Sequence, residues 1–258
     1  MDHATLLALH DRELREGARP DGPGVRVERC AGVVRQVGTA RDWNGIVWSS
    51  PDAADADAVI AAQIDHFTAL GLPFEWKLYG HDRPGDLGAR LAAAGFTAEP
   101  AETLMVGDLD ALSLDAEPPA GVRLSAVTDS HGVDLLVDVH DRVFGTDGGR
   151  LRHRLLSRLA ADPDTVVAVV ALDGEVPVSA ARMEPVPGTA FAGLWGGGTL
   201  REWRGRGLYR ALVAHRARVA ARLGHRYLQV DASDDSRPVL QRLGFVPLTT
   251  TTPYVYTP

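Results

Sequence analysis

The sequence predicts an α/β fold in which helices flank a mixed sheet (α+β in its strand directions), built as two domains in tandem. Three observations predict it. Segments of strand and helix character alternate along the chain. Residues 108–121, rich in Asp, Pro and Gly and without sustained periodicity, interrupt the alternation near its middle. A strand–helix unit closing on Gly-Phe also occurs on either side of that interruption. Leu70-Gly71, Trp76-Lys-Leu-Tyr79, Arg83-Pro84 and Gly95-Phe96 are matched by Leu223-Gly224, Tyr227-Leu-Gln-Val230, Arg237-Pro238 and Gly244-Phe245. Gly71 to Gly95 is 24 positions and Gly224 to Gly244 is 20, so the copies differ by a small insertion. A repeat at this distance indicates duplicated domains rather than a solenoid. The expected division is a first domain over 1–110, a linker over 111–121 and a second domain over 122–258.

In the first domain, 4–16 reads as a helix with Leu6, Leu7, Leu9 and Leu14 partly on one face, ended by Gly17 and Pro20. Residues 25–29, 33–37 and 44–49 read as short strands. A helix opens at Pro51-Asp52 and runs to about Leu70, burying Val59, Ile60, Ile64 and Phe67. Residues 74–79 form a strand, 84–94 a helix and 103–106 a last strand.

In the second domain, 122–127 is a strand, and 129–144 and 151–159 are helices. Residues 165–172 and 176–183 pair across Asp173-Gly174, a good hairpin turn. The apolar and small residues Phe191 to Trp195 suit a buried central strand. Leu208, Leu212, Val219 and Leu223 recur at helical spacing after it. Residues 226–230 form the next strand, and Asp234-Asp235 is placed to cap the helix that follows. Residues 247–256 form a final strand interrupted at Pro253, which suggests a sheet edge. An edge strand can pair with another chain, so a homodimer is an open expectation.

Composition sets limits. With 258 residues, 45% hydrophobic and 24% charged, the chain can bury one large core or two small ones. The formal net charge of -7 gives no basic surplus for nucleic acid or an anionic membrane. Cys30 is the only cysteine, so no intrachain disulfide can form and a cytoplasmic protein is expected. Residues 1–12 lack a basic segment followed by a long apolar run, so no signal peptide is expected. The longest apolar run, 166–172, is too short to span a bilayer. His131, His140 and His153 follow no ligand spacing, so no metal is expected. His215 and Trp195 read as packing residues.

Chemistry concentrates between Gly196 and Leu212. Arg204-Gly205-Arg206-Gly207 joins the central strand to a helix. The two glycines permit close backbone approach, the helix's free N–H groups and dipole favour an anion, and two arginines add charge of the matching sign. No Gly-Lys-Ser/Thr follows, so this is not a Walker loop. Arg at 210 also breaks the dinucleotide fingerprint. Arg204-Gly-Arg-Gly207-Leu-Tyr209 resembles the Arg/Gln-x-x-Gly-x-Gly/Ala loop of the GNAT N-acetyltransferase superfamily, with Tyr209 at the last position. The following strand, helix and Gly244-Phe245 ending are similar to that family in order and spacing. The resemblance covers roughly 122–258.

The resemblance implies two GNAT-like domains, each a mostly antiparallel sheet with a parallel pair at its centre. It implies acetyl-CoA as co-substrate, its pyrophosphate cradled by Arg204, Gly205, Arg206, Gly207, Leu208, Tyr209 and Arg210. Gly197, Gly198 and Thr199 would meet the pantetheine arm, and Ser233 and Ser236 would complete the site. The implied activity is direct acetyl transfer to the amine of a small molecule or peptide. The alternatives are a module that binds acetyl-CoA without turnover, and transfer to a thiol or hydroxyl. The family's usual general-acid tyrosine is replaced by Leu240, so water, Tyr209 or another group must substitute, or the thiolate leaves unprotonated. Glu184 and Asp231, at strand ends near the cleft, are the candidate bases. In the first copy, the place of the loop holds Ser50-Pro51-Asp52-Ala-Ala-Asp55-Ala-Asp57, with three carboxylates and no glycine or arginine. That stretch would repel a pyrophosphate, so only the second copy is expected to bind the coenzyme.

Overall fold

A computed structural model describes every residue except Met1 and Ala31. In the first half, α1 (His3–His10) runs on into a wide helical turn, Asp11–Glu16. Then come β1 (Arg26–Cys30), β2 (Val33–Val37), β3 (Gly45–Ser49), α2 (Ala56–Ala69), β4 (Phe74–Tyr79), α3 (Leu87–Ala93), β5 (Thr97–Ala98) and β6 (Glu102–Asp108). The second half holds β7 (Val122–Ala126), α4 (Ser130–Phe144), α5 (Gly149–Ala161), β8 (Val167–Asp173), β9 (Val176–Pro185), β10 (Phe191–Thr199), α6 (Leu208–Arg222), β11 (Tyr227–Ala232), α7 (Arg237–Leu243) and β12 (Val246–Tyr256). Among the described residues, no helix is long and apolar enough to cross a membrane.

Two compact units result. One comprises Met1–Leu104, Asp231–Asp234 and Leu248–Pro258; the other comprises Met105–Val230 and Asp235–Pro247. This division departs from the expected one: residues 105–110 fall in the second unit, and Asp231–Asp234 in the first. Residues 109–114, expected in or beside a linker, are strapped to the second unit. The Leu109 N–H donates to the Arg226 carbonyl at 3.0 Å, and the Ser113 N–H donates to the Leu243 carbonyl at 3.0 Å. Leu112 and Leu114 alternate with exposed neighbours there, which gives the segment a weak apolar face. Residues 248–258, expected in the second domain, group with the first unit.

In the first unit, β1, β2 and β3 are antiparallel neighbours, β3 and β4 are parallel, and β4 pairs antiparallel with Thr251–Tyr256 of β12. The last strand is therefore not an edge. β5 flanks it on the other side through Ala98 and Thr97. Pro253 is tolerated because its carbonyl, which accepts from the Glu99 N–H at 2.8 Å, turns its ring nitrogen toward this two-residue ladder. The core is aromatic. Phe67 stacks on Phe74 at 4.2 Å, Phe96 meets Phe74 edge-on at 5.2 Å, and Tyr256 closes on Phe96 at 5.2 Å.

In the second unit, β7, β8, β9 and β10 run antiparallel in that order, and β10 and β11 are parallel. Asp173 pairs with Val176, so the hairpin turn is Gly174-Glu175, one residue beyond the expected Asp173-Gly174. Gly174 takes φ +57°, which a primed turn demands at its first central position. Alternation along β9 splits the core. Ala180 joins Val133, Leu136, Val139 and Leu155 of α4 and α5, whereas Ala181 meets Leu212 of α6.

The units share local detail that explains the repeated Gly-Phe. The Phe96 N–H donates to the Leu91 carbonyl and the Phe245 N–H to the Leu240 carbonyl, both at 3.1 Å. Each is the long bond of a Schellman ending, which needs the preceding residue to be left-handed. The N-cap of α7 is Ser236, not Asp234 or Asp235.

Candidate active site

The site begins where two parallel strands stop pairing. β10 and β11 are in register at Phe191–Tyr227, Ala192–Leu228 and Gly193–Gln229, and pair no further. β10 continues alone on that side to Thr199. Against β9 its register shifts between Trp195 and Gly198, a bulge made by Gly196 and Gly197. The bulge sends successive residues to opposite faces. A Cβ on Gly196 would lie 2.8 Å from Arg182 Nη1, and one on Gly198 would lie 3.0 Å from Val143 of α4. A Cβ on Gly197 would instead lie 3.1 Å from the Tyr209 ring on α6. Side chains here would collide with these neighbours; without them Gly196 is exposed and Gly197 half-buried, whereas Gly198 is buried. Thr199 is buried, and its hydroxyl is engaged with Ser179 Oγ at 2.7 Å. Trp195 is half-buried rather than a core residue.

After Thr199 one short turn, Arg201–Trp203, leads to the arginine–glycine loop. The Arg204 Nε donates back to the Thr199 carbonyl at 3.2 Å, which closes the loop. Arg206 stacks over Trp203 at 4.5 Å. Gly207 is the N-cap of α6 at φ +85°, a left-handed conformation that other residues rarely adopt. With glycine there, no side chain caps the helix, and the N–H groups of Leu208, Tyr209 and Arg210 have no partner within it. Arg204, Gly205 and Arg206 are exposed. Open amides, a helix dipole and two guanidinium groups fit a pyrophosphate.

Tyr209 lies between this loop and the bulge. Burial raises its phenol above the ordinary value; Arg216 nearby and a hydrogen bond with Ser236 oppose that rise without cancelling it. Leu240, at the position where the resemblance expects an acid, is fully buried. Ser233 follows β11 among residues that group with the first unit.

Both candidate bases are engaged. Glu184, at the end of β9, lies 3.2 Å from Arg154, 3.0 Å from Arg158 and 3.3 Å from Arg182. Desolvation pushes its carboxyl up, but Arg154, Arg158 and Arg182 together hold it below the usual range. Such a carboxylate has little affinity for a proton. Asp231 groups with the first unit, is buried, pairs with Lys77 and accepts from Thr251 Oγ1 at 3.3 Å.

The arginines of this wall were not anticipated from sequence. Arg182 interrupts the apolar run of β9, and Arg154 and Arg158 are one turn apart on α5. Arg216 of α6 is 1% exposed, and burial pulls its guanidinium down to about 10. A charged residue at a buried register position was the available signal. His215, beside it, is half-buried, and burial lowers its imidazole.

The first unit has the same strand parting, but its own side chains fill it. β3 and β4 pair only at Gly45–Glu75 and Ile46–Trp76. Arg15 then inserts, donating from Nε to the Val47 carbonyl at 3.1 Å and from Nη2 to both Asp82 oxygens at 2.8 Å. Its guanidinium lies 3.7 Å over the Tyr79 ring. Ahead of α2 there is no loop like Arg204–Gly207, and the N-cap is Asp55. Among the described residues, no group of three His, Cys, Asp or Glu side chains is placed to hold a metal ion.

Comparison with known proteins agrees with this geometry. The model of the acetyltransferase (GNAT) family matches residues 134–245. No curated protein matches the sequence. Among solved structures, a GCN5-related N-acetyltransferase from Kribbella flavida is similar over 98% of this chain and 93% of its own, with a TM-score of 0.70 and 18% identity. A functionally unknown conserved protein from Staphylococcus epidermidis ATCC 12228 is similar over 94% of this chain and 96% of its own, with a TM-score of 0.69 and 16% identity. A tandem GNAT protein from the clavulanic acid biosynthesis pathway is similar over 93% of this chain and 85% of its own, with a TM-score of 0.67 and 16% identity. At these identities the likeness is one of fold. The chain thus has a tandem-GNAT-like fold, and its residues 134–245 are similar to the acetyltransferase (GNAT) family.

Proposed function

We propose that the second unit is an acetyl-CoA-dependent N-acetyltransferase that moves the acetyl group directly to the amine of a small molecule or peptide. The observation that carries this reading is the parting of β10 and β11 after Gly193 and Gln229. It leads through a glycine bulge to the uncapped start of α6. Acetyl-CoA supplies the thioester. The amides of Leu208, Tyr209 and Arg210 and the guanidinium groups of Arg204 and Arg206 hold its phosphates. The free edge of β10 at Gly197, Gly198 and Thr199 receives the pantetheine arm.

In transfer, the amine nitrogen bonds to the acetyl carbon, the carbon–sulfur bond breaks, and one proton leaves the nitrogen while one reaches the sulfur. Backbone N–H groups at the bulge face the charge that develops on the carbonyl oxygen, an effect of about 3 kcal/mol. Tyr209, kept protonated by burial, is the donor to sulfur. No carboxylate acts as base: Glu184 is held ionised and Asp231 is paired. The guanidinium groups of the β9 wall favour the neutral amine instead, because a positive neighbour disfavours an ammonium. The Arg15 plug supports assigning the coenzyme to the second unit alone.

A titration decides it. Acetyl-CoA raises the melting temperature of the wild type and not that of Gly207→Glu; no rise in the wild type sinks the reading. Leu240 at the acid position favours a second reading, a binding module without turnover. Release of coenzyme A thiol in the presence of an amine panel separates the two.

A further inference from the structure

We propose that the acceptor carries a carboxylate, bound by the guanidinium fork of Arg182 beside the β10 bulge. This rests on the acetyl-transfer reading and names its substrate class.

Arg182 projects from β9 onto the α4–α5 face. Its Nε meets Glu184 Oε1 at 3.3 Å, whereas its terminal nitrogens have no hydrogen-bond partner among the described residues. One of them, Nη1, sits where a side chain on Gly196 would begin. The fork therefore ends at the bulge itself, next to where the acetyl group is received.

The surroundings carry excess positive charge. Arg154 can be left out of the count. Arg158 and Arg182 still face one carboxylate, Glu184, with their side chains only 7% and 15% exposed, and Arg216, on the Tyr209 side of the strand, is a further buried cation. Arg216 is bonded to carbonyls alone, from Nη1 to Arg182 at 2.8 Å and from Nε to Leu212 at 3.0 Å. Buried charge that lacks a counterion is costly, and an entering anion removes the cost. Burial depresses the Arg182 guanidinium despite the pull of Glu184, as expected of a cation short of anions.

The coenzyme's phosphates do not meet this need. They are received at the start of α6, and Tyr209, which marks that side, lies across β10 from Arg182: Gly197 faces the one and Gly196 the other. The free face belongs to the acceptor. A planar fork with two open nitrogens matches a carboxylate bidentately. A carboxylate seated there holds an α-amine within one or two bonds of the bulge, as in a free amino acid.

The test compares amino acids with the matching amino-acid amides, which keep the amine and lose the negative charge. Wild type is expected to acetylate the best amino acid about 10- to 100-fold more efficiently in kcat/KM than its amide, the weight of a charged hydrogen-bonded contact. Arg182→Gln is expected to erase that preference with the acetyl-CoA Kd unchanged, and Arg182→Lys to restore part of it. If Arg182→Gln does not fold, the wild-type comparison and Arg182→Lys decide. Amides used as well as the acids, with acetyl-CoA still bound, overturn the proposal. Calorimetry of amino acids against amides, without coenzyme, separates the two readings. If acetyl-CoA fails to bind but amino acids bind through Arg182, the acetyl-transfer reading alone falls. If acetyl-CoA binds and amino acids do not, this one falls.

Discussion

Arg15 donates through Nε to the carbonyl of Val47 across 3.1 Å, in the gap where β3 and β4 stop pairing. In the second unit the equivalent gap is lined by glycines, and its approach is an exposed loop. One duplicated frame thus carries two outcomes, decided by whether a side chain of the chain itself enters the opening.

Replacing that side chain tests the plug. Arg15→Leu leaves the buried Asp82 carboxylate without its bidentate partner, so a loss of about 3–5 kcal/mol is expected in urea unfolding of the first unit. The acetyl-CoA-induced thermal shift is expected to persist, because the phosphate loop belongs to the second unit. Loss of that shift in a folded variant contradicts the assignment.

At the loop, Gly207→Ala isolates the backbone requirement from the charge. A left-handed alanine costs roughly 1–2 kcal/mol, so the unliganded protein should melt a few degrees lower. Binding of acetyl-CoA should weaken as well. Calorimetry on a variant of intact fold gives the affinity directly.

Glu184 links stability to pH. Its folded carboxyl is held below the ordinary carboxylate range, so the stability it contributes is present above the unfolded value near 4.5 and is lost as pH falls through the folded one. Wild type should lose stability on acidification below that point. Glu184→Gln should be less stable at neutral pH, by about 3–5 kcal/mol, with a shallower acid slope. Urea midpoints at a series of pH values give both.

Tyr209→Phe removes the proposed proton donor without emptying the space under Gly197. A fall of about 100-fold in kcat is expected with the acetyl-CoA Kd unchanged. An unchanged kcat means that the thiolate leaves without help from this phenol.

The rate profile tests the absence of a carboxylate base. An enzyme with such a base levels off once the base is ionised. Here log kcat/KM is expected to keep rising with pH until the amine itself is neutral. A plateau reached at mildly acidic pH, lost in Glu184→Gln, restores Glu184 as base.

The fold was readable in the sequence where apolar spacing and glycine punctuation agree. Leu208 and Leu212 marked α6, and Gly244-Phe245 marked the Schellman ending of α7. The loop could be read because its function depends on backbone freedom, which Gly205 and Gly207 declare by type. Pro253 misled, because a proline excludes a ladder bond on one side only, and the strand on that side is two residues long. Residues 109–114 read as a connector because their half-buried leucines form too weak a period to register. The Arg182–Glu184 wall was invisible for another reason. Arg154 and Arg158 come from α5 and Arg182 from β9, and only packing brings them together around Glu184. A lone arginine in an apolar strand was the single local sign.

The last strand has a bearing on how the molecule is made. Residues 251–256 zip onto β4, which the ribosome finishes some 170 positions earlier. The front half therefore waits, with one side of β4 bare and Phe74 lacking Tyr256, until the whole of the rear half has been synthesised. A stop codon before Leu248 should cripple the opposite end of the polypeptide from the one it shortens, and a tag fused behind Pro258 sits beside the sheet formed by the earliest residues.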